Sequence, residues 1–148
     1  MEFFRVPESL EAEHELIRRE LARAVAEGGR TGTAAEALVA VLRPHVVKEE
    51  DFALPALGLL QHLVRVSPVM RGVIVMTDRL KAQYEHMLAD HQGIVTAVDA
   101  LAAAATEDGK LDYAGFAEKL LRHIKTEEQV LYPAAILIGE YLKLKLDR

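Results

Sequence analysis

The stretch HVVKEEDFALP, residues 45–55, returns 78 residues later as HIKTEEQVLYP, residues 123–133. A helical core needs leucine and valine at intervals of three and four. It has no need of His45 and His123, each followed four residues on by Glu49 and Glu127. The repeat reaches further back, because LEAEHELIRREL and MLADHQGIVTAV align with His14 on His91, Glu13 on Asp90 and Ile17 on Ile94. The lone histidine precedes the His-x-x-x-Glu pair by 31 residues in the first half and by 32 in the second. Each half therefore reads as one helical hairpin with an inward histidine, then an inward His-x-x-x-Glu.

Helical periodicity fills the rest of the chain, and strand signals are nearly absent: aromatics are 5% of residues and no alternating run is bounded by hairpin turns. The first helix is expected to start with Ser9 as N-cap after Pro7 and to end at Gly28-Gly29, with Leu10, His14, Ile17, Leu21 and Ala24 inward. After the loop GGRTGT, a capping box Thr33-x-x-Glu36 opens the second helix. Its inward line is Leu38, Val41, His45, Glu49, Phe52, Ala56 and Leu59, with a kink expected at Pro44 and a bend or end at Pro55. Ser67-Pro68 opens a long third helix through Val69, Val73, Met76, Leu80, Tyr84, Met87, His91, Ile94, Val98 and Leu101, with a break expected near Gly72 or Thr77. After the turn TEDGKLD, the fourth carries Phe116, Leu120, His123, Glu127, Val130, Ala134 and Leu137. Alternating threes and fours with short connections predict an all-α, up-down antiparallel four-helix bundle. Residues 1–148 form one domain, its core bundle at about 8–135.

Residues four apart on a helix differ by about 40° in direction, so each His-x-x-x-Glu projects from one face. That face is the apolar seam. Four imidazoles and two carboxylates would converge there, and each one left unsatisfied costs roughly 1–3 kcal/mol. A pair of cations removes the penalty by turning nitrogens and oxygens into ligands. Nitrogen and oxygen donors without sulfur suit iron, manganese or zinc, and zinc takes about four ligands. Two bridging carboxylates and four imidazoles leave two roughly six-coordinate ions with room for a bridging oxygen and an exogenous ligand. That count fits a di-iron centre better than zinc.

EAEHELI, HVVKEEDFALP, ADHQGIV and HIKTEEQVLYP together resemble the hemerythrin-like, or HHE cation-binding, domain over about residues 8–135. The resemblance implies non-haem di-iron ligands at His14, His45, Glu49, His91, His123 and Glu127. It further implies two iron ions, oxo- or hydroxo-bridged, that bind dioxygen, nitric oxide or peroxide. Oxygen-carrying hemerythrins have a second histidine four residues from the first on the third helix, where this chain has Met87 and Val95 beside His91. They carry a carboxylate five residues after the last histidine, a place held here by Glu128. One imidazole fewer leaves an extra open position and favours reactivity or sensing over reversible carriage. Ferritin-like bundles use Glu-x-x-His on two helices, whereas here only Glu11-x-x-His14 has that spacing.

Glu50 and Glu128 lie about 140° from the preceding histidine on a straight helix and are expected toward solvent, unless a helix bulge turns Glu128 inward. His86 shares a polar face with Arg79, Gln83 and Asp90 and is expected in solvent, with a fifth imidazole ligand as its alternative role, and His62 has no mate in the repeat. Tyr84 and Tyr132 near the seam are expected in the core with their hydroxyls partnered; gating an open coordination position is their alternative role. A net charge of −5 speaks against nucleic acid, no polybasic run suggests a membrane surface, and the absence of cysteine excludes thiol chemistry. MEFFRVPESL lacks the pattern of a signal peptide, so a soluble cytoplasmic protein is expected. The partner expected is a small gas or peroxide. Three functions stay open: binding or sensing of that ligand, enzymatic peroxide breakdown or nitric oxide reduction (or iron storage and handling), and a metal-free interaction bundle.

Overall fold

A computed structural model describes residues 5–146. The described chain is helical: α1 (Glu8–Ala26), α2 (Gly29–Lys48), α3 (Arg71–Glu107), α4 (Leu111–Thr126) and α5 (Tyr132–Leu146). A π turn over Glu49–Ala53 extends α2, and another over Glu127–Leu131 joins α4 to α5 without leaving helical backbone angles. The result is a four-helix bundle whose fourth rod is α4 and α5 together.

The two π turns follow from the repeated motif. Each precedes a proline, Pro55 or Pro133, that has no N–H to return to the carbonyl four residues earlier. The ladder slips by one residue just before it: Leu54 N–H bonds Glu49 O at 2.8 Å, and Tyr132 N–H bonds Glu127 O. Pro55 then opens a 3₁₀ segment, Pro55–His62, which ends the second rod as expected. Pro44 lies inside α2 without ending it.

That slip rephases everything downstream. Phe116, Leu120, His123 and Glu127 are buried as expected, but beyond the π turn Tyr132, Ala135, Ile138 and Leu142 face the core. Val130 and Leu137, expected inward, are exposed. A straight 3.6-residue count cannot anticipate the extra residue. Val41 is likewise more than a third exposed, its place taken by Leu42.

Three helix starts differ from expectation. α1 begins at Glu8 behind Pro7, with Ser9 already in the first turn. α2 begins at Gly29, so Thr33 lies inside it, and GGRTGT is mostly helix rather than loop. The buried Thr31 instead donates its N–H and hydroxyl to Asp108 Oδ2, at 3.2 and 2.8 Å. Asp108 sits in the α3–α4 turn, so one hairpin turn supplies the acceptor at the start of a helix in the other. Glu27 accepts from Lys110 at 2.5 Å and from Tyr113 at 3.0 Å, fastening the same end. Pro68–Met70 forms a short 3₁₀ turn, after which α3 runs unbroken through Gly72 and Thr77.

Two apolar clusters divide the interior. Leu21, Leu38, Ile94, Leu101 and Leu120 fill the end near the hairpin turns. Phe52, Leu59, Leu80, Met87, Ile138 and Leu142 fill the other. α5 stays packed up to Leu142, past the expected limit of about 135. Between the two clusters lies a polar layer.

Candidate metal centre

All six predicted ligands lie in that layer: His14, His45, Glu49, His91, His123 and Glu127 are 1–8% exposed. His14 comes from α1, His45 from α2, His91 from α3 and His123 from α4. Each glutamate sits at the first position of a π turn. His86 and His62 are exposed and outside the group.

The six form two nests. His45, Glu49, His91 and Glu127 bring ligand atoms within 4.8 Å of one another, as do His14, His123 and Glu127. Each carboxylate divides its oxygens between the nests. Glu49 Oε1 is 3.7 Å from His14 Nε2, and its Oε2 is 3.7 Å from His45 Nε2. Glu127 Oε1 is 3.3 Å from His91 Nε2, and its Oε2 is 3.2 Å from His123 Nε2. Such a pair of carboxylates is placed to span two cations.

Each of the four clustered histidines turns Nε2 inward and Nδ1 to a carboxylate outside the nest. His45 Nδ1 is 3.0 Å from Asp90, His91 Nδ1 2.9 Å from Glu128, His123 Nδ1 2.6 Å from Glu13, and His14 Nδ1 3.5 Å from Glu50. A carboxylate only accepts, so Nδ1 carries the proton and the Nε2 lone pair is left for a metal. The four acids are the aligned pairs Glu13/Asp90 and Glu50/Glu128. Each serves a histidine of another helix, so the outer layer is duplicated with the inner one. Glu50 and Glu128 are over a third exposed, as expected of solvent-side residues, but reach back to histidines because a π turn advances each residue by less than the α-helical step of about 100°. The acid before each lone histidine and the doubled Glu-Glu were the available signals for this layer.

The electrostatics are those of an acid-rich pocket holding protons. Burial and contact with Glu127 hold the Glu49 carboxyl well above its usual range. Burial would raise Glu127 too, but its close contacts with Glu49, His123, His14 and His91 hold it well below. Burial would lower His123, but Glu127 and Glu13 outweigh it and raise the imidazole to about 9. His91 is raised in the same way, against burial, by Glu127 and Glu128. Burial prevails at His45, which is lowered despite Asp90.

Tyr132 also enters the layer, as a core residue with a partnered hydroxyl. It is fully buried, donates to Glu49 Oε2 at 2.6 Å, and lies 3.1 Å from Nε2 of both His45 and His91. Burial, then the charges of Glu49 and Glu127, raise its phenol far above the ordinary value. Tyr84 only meets its ring edge-on, at 6.4 Å between centroids.

The donor set fits a cation pair. Among the described residues, His14 Nε2 and Glu127 Oε2 are the buried side-chain atoms without a hydrogen-bond partner, and both point into the nests. Orphans of this kind cost roughly 1–3 kcal/mol each unless a bound cation satisfies them. A family model described as the hemerythrin HHE cation-binding domain matches residues 5–135. This chain belongs to that family. No curated protein and no solved structure matches it. The hemerythrin-family assignment agrees with the bundle, the resemblance and the buried His/Glu cluster of a cation-binding domain.

A cavity of about 620 Å³ leads to the layer between α1 and α2, walled by Ile17, Leu21, Val39 and Leu42. Arg18 and Arg43 also line it, and it reaches all six residues of the layer, His14, His45, Glu49, His91, His123 and Glu127. No described helix is long and apolar enough to cross a membrane.

Proposed function

We propose that this hemerythrin-family chain is a non-haem di-iron protein that binds or senses a small ligand, dioxygen, nitric oxide or peroxide. The observation that carries the reading is the division of each buried carboxylate between two histidine pairs. His14 and His123 would hold one ion and His45 and His91 the other, with Glu49 and Glu127 spanning both. Four imidazoles and two shared carboxylates leave each ion short of six ligands, which favours iron over zinc. Iron, when bound, supplies the redox change and the open position that small oxidants and nitric oxide require.

The chain's own residues do the rest. Glu13, Asp90, Glu50 and Glu128 fix the tautomer and direction of each imidazole. Leucine and valine above and below the layer exclude water, and the apolar cavity admits a small uncharged molecule to the layer. Binding displaces the protons that Glu49, His91 and His123 hold when the cations are absent.

Turnover of peroxide or nitric oxide at the same ions is a second reading, and the cavity favours it because a route of that size renews the ligand. Metal content and the visible spectrum after exposure to air, peroxide and nitric oxide test both. About two irons per chain and a ligand-dependent spectrum are expected; one zinc per chain defeats the assignment. Catalytic loss of peroxide or nitric oxide, abolished in His91→Ala, would make the protein an enzyme.

A further inference from the structure

The duplicated motif is symmetric in every ligand and breaks at one position inside the layer. The residue before the proline is Leu54 in the first copy and Tyr132 in the second. Leucine offers no donor. Tyr132 Oη stands 3.1 Å from His45 Nε2 and 3.1 Å from His91 Nε2, with Glu49 Oε2 at 2.6 Å. Nitrogen and oxygen ligands at ~2.1 Å bond lengths, set at right angles on one ion, stand ~3.0 Å apart. The hydroxyl is therefore spaced from both imidazoles as a third ligand on their ion would be. The other nest has no such group, and it is there that His14 Nε2 and Glu127 Oε2 lack partners. The cavity reaches histidines of both nests, and Tyr132 is not in its wall.

We propose that Tyr132 is a protein ligand, through its phenolate oxygen, to the iron held by His45 and His91, so that the exogenous ligand binds the iron held by His14 and His123. The inference rests on the di-iron reading and makes its two ions unequal. As the iron–oxygen bond forms, the phenol proton leaves to solvent; no electron is transferred. The cation's charge, at the point where Glu49 now accepts the hydroxyl, drives that exchange.

The test uses the full chain loaded with iron and oxidised to iron(III). Expected are a phenolate-to-iron charge-transfer band in the visible and phenolate ring modes in the resonance Raman spectrum. Both should disappear in Tyr132→Phe with iron held at about two per chain. Ring-deuterated tyrosine in the unmutated protein should shift the modes. The chain has four tyrosines; Tyr84→Phe, Tyr113→Phe and Tyr141→Phe should each keep the band, which assigns it to Tyr132 even if Tyr132→Phe does not fold. Two irons with bridging-oxygen bands but no phenolate modes would overturn the ligand and leave the di-iron reading standing, as would modes that survive Tyr132→Phe. A protein without paired iron would overturn both.

Discussion

Glu13 on α1 accepts a hydrogen bond from His123 Nδ1 on α4 at 2.6 Å, across 110 residues of chain. Its counterpart in the repeat, Asp90 on α3, accepts from His45 Nδ1 on α2 at 3.0 Å. Each hairpin thus orients a histidine of the other, so neither half can complete the centre alone.

Loss of that outer layer should weaken metal binding without unfolding the protein. Glu13→Gln and Asp90→Asn keep the size of the side chain but no longer hold the Nδ1 proton with a full charge. Each is expected to lower metal affinity about 10- to 100-fold, measured by competition with a chelator of known strength. Unchanged affinity would reduce these acids to ordinary surface charges.

Chelation should cost stability, because the cations bind only the folded arrangement. At a free metal concentration of ~100 times the dissociation constant the linkage is about 2.7 kcal/mol, or ~5–10 °C in Tm for a chain of this size. A Tm that does not move on metal removal is the result expected of the metal-free interaction bundle.

The metal-free and metal-loaded proteins should respond to pH with opposite signs. His123 is raised above its unfolded value of about 6.5 to about 9, so its contribution is fully present below pH ~6.5 and is lost as pH rises through about 9. His91 and Glu49, also raised, act in the same sense. The metal-free protein should lose on the order of 2–3 kcal/mol across that window, seen as a falling Tm. Metal affinity should rise over the same window, since cation and proton compete for the Nε2 lone pair.

Gly139 on α5 lies against Thr77 on α3, and a Cβ there would come 1.9 Å from Thr77 Oγ1. Thr77 is 1% exposed and donates to Ile74 O, so it has little freedom to retreat. Gly139→Ala is expected to destabilise by about 1–3 kcal/mol in urea unfolding. In the double variant with Thr77→Ala most of that loss should be recovered.

What the sequence alone determined is the duplicated plan: four amphipathic helices, a seam interrupted by His14, His45, Glu49, His91, His123 and Glu127, and hence a buried layer of groups able to hold cations. Periodicity carries that information because residues three and four apart share a face whatever the tertiary detail. Tertiary structure decided what a regular count cannot express. The π turns before Pro55 and Pro133 add one residue to the ladder, exposing Val130 and Leu137, burying Tyr132 and swinging Glu50 and Glu128 back toward histidines of other helices. The pairing of His14 with His123 and of His45 with His91, the acid opposite each Nδ1, and the capping of Thr31 by Asp108 are contacts between helices. Packing sets them, because spacing along one helix says nothing of which neighbour its side chains meet.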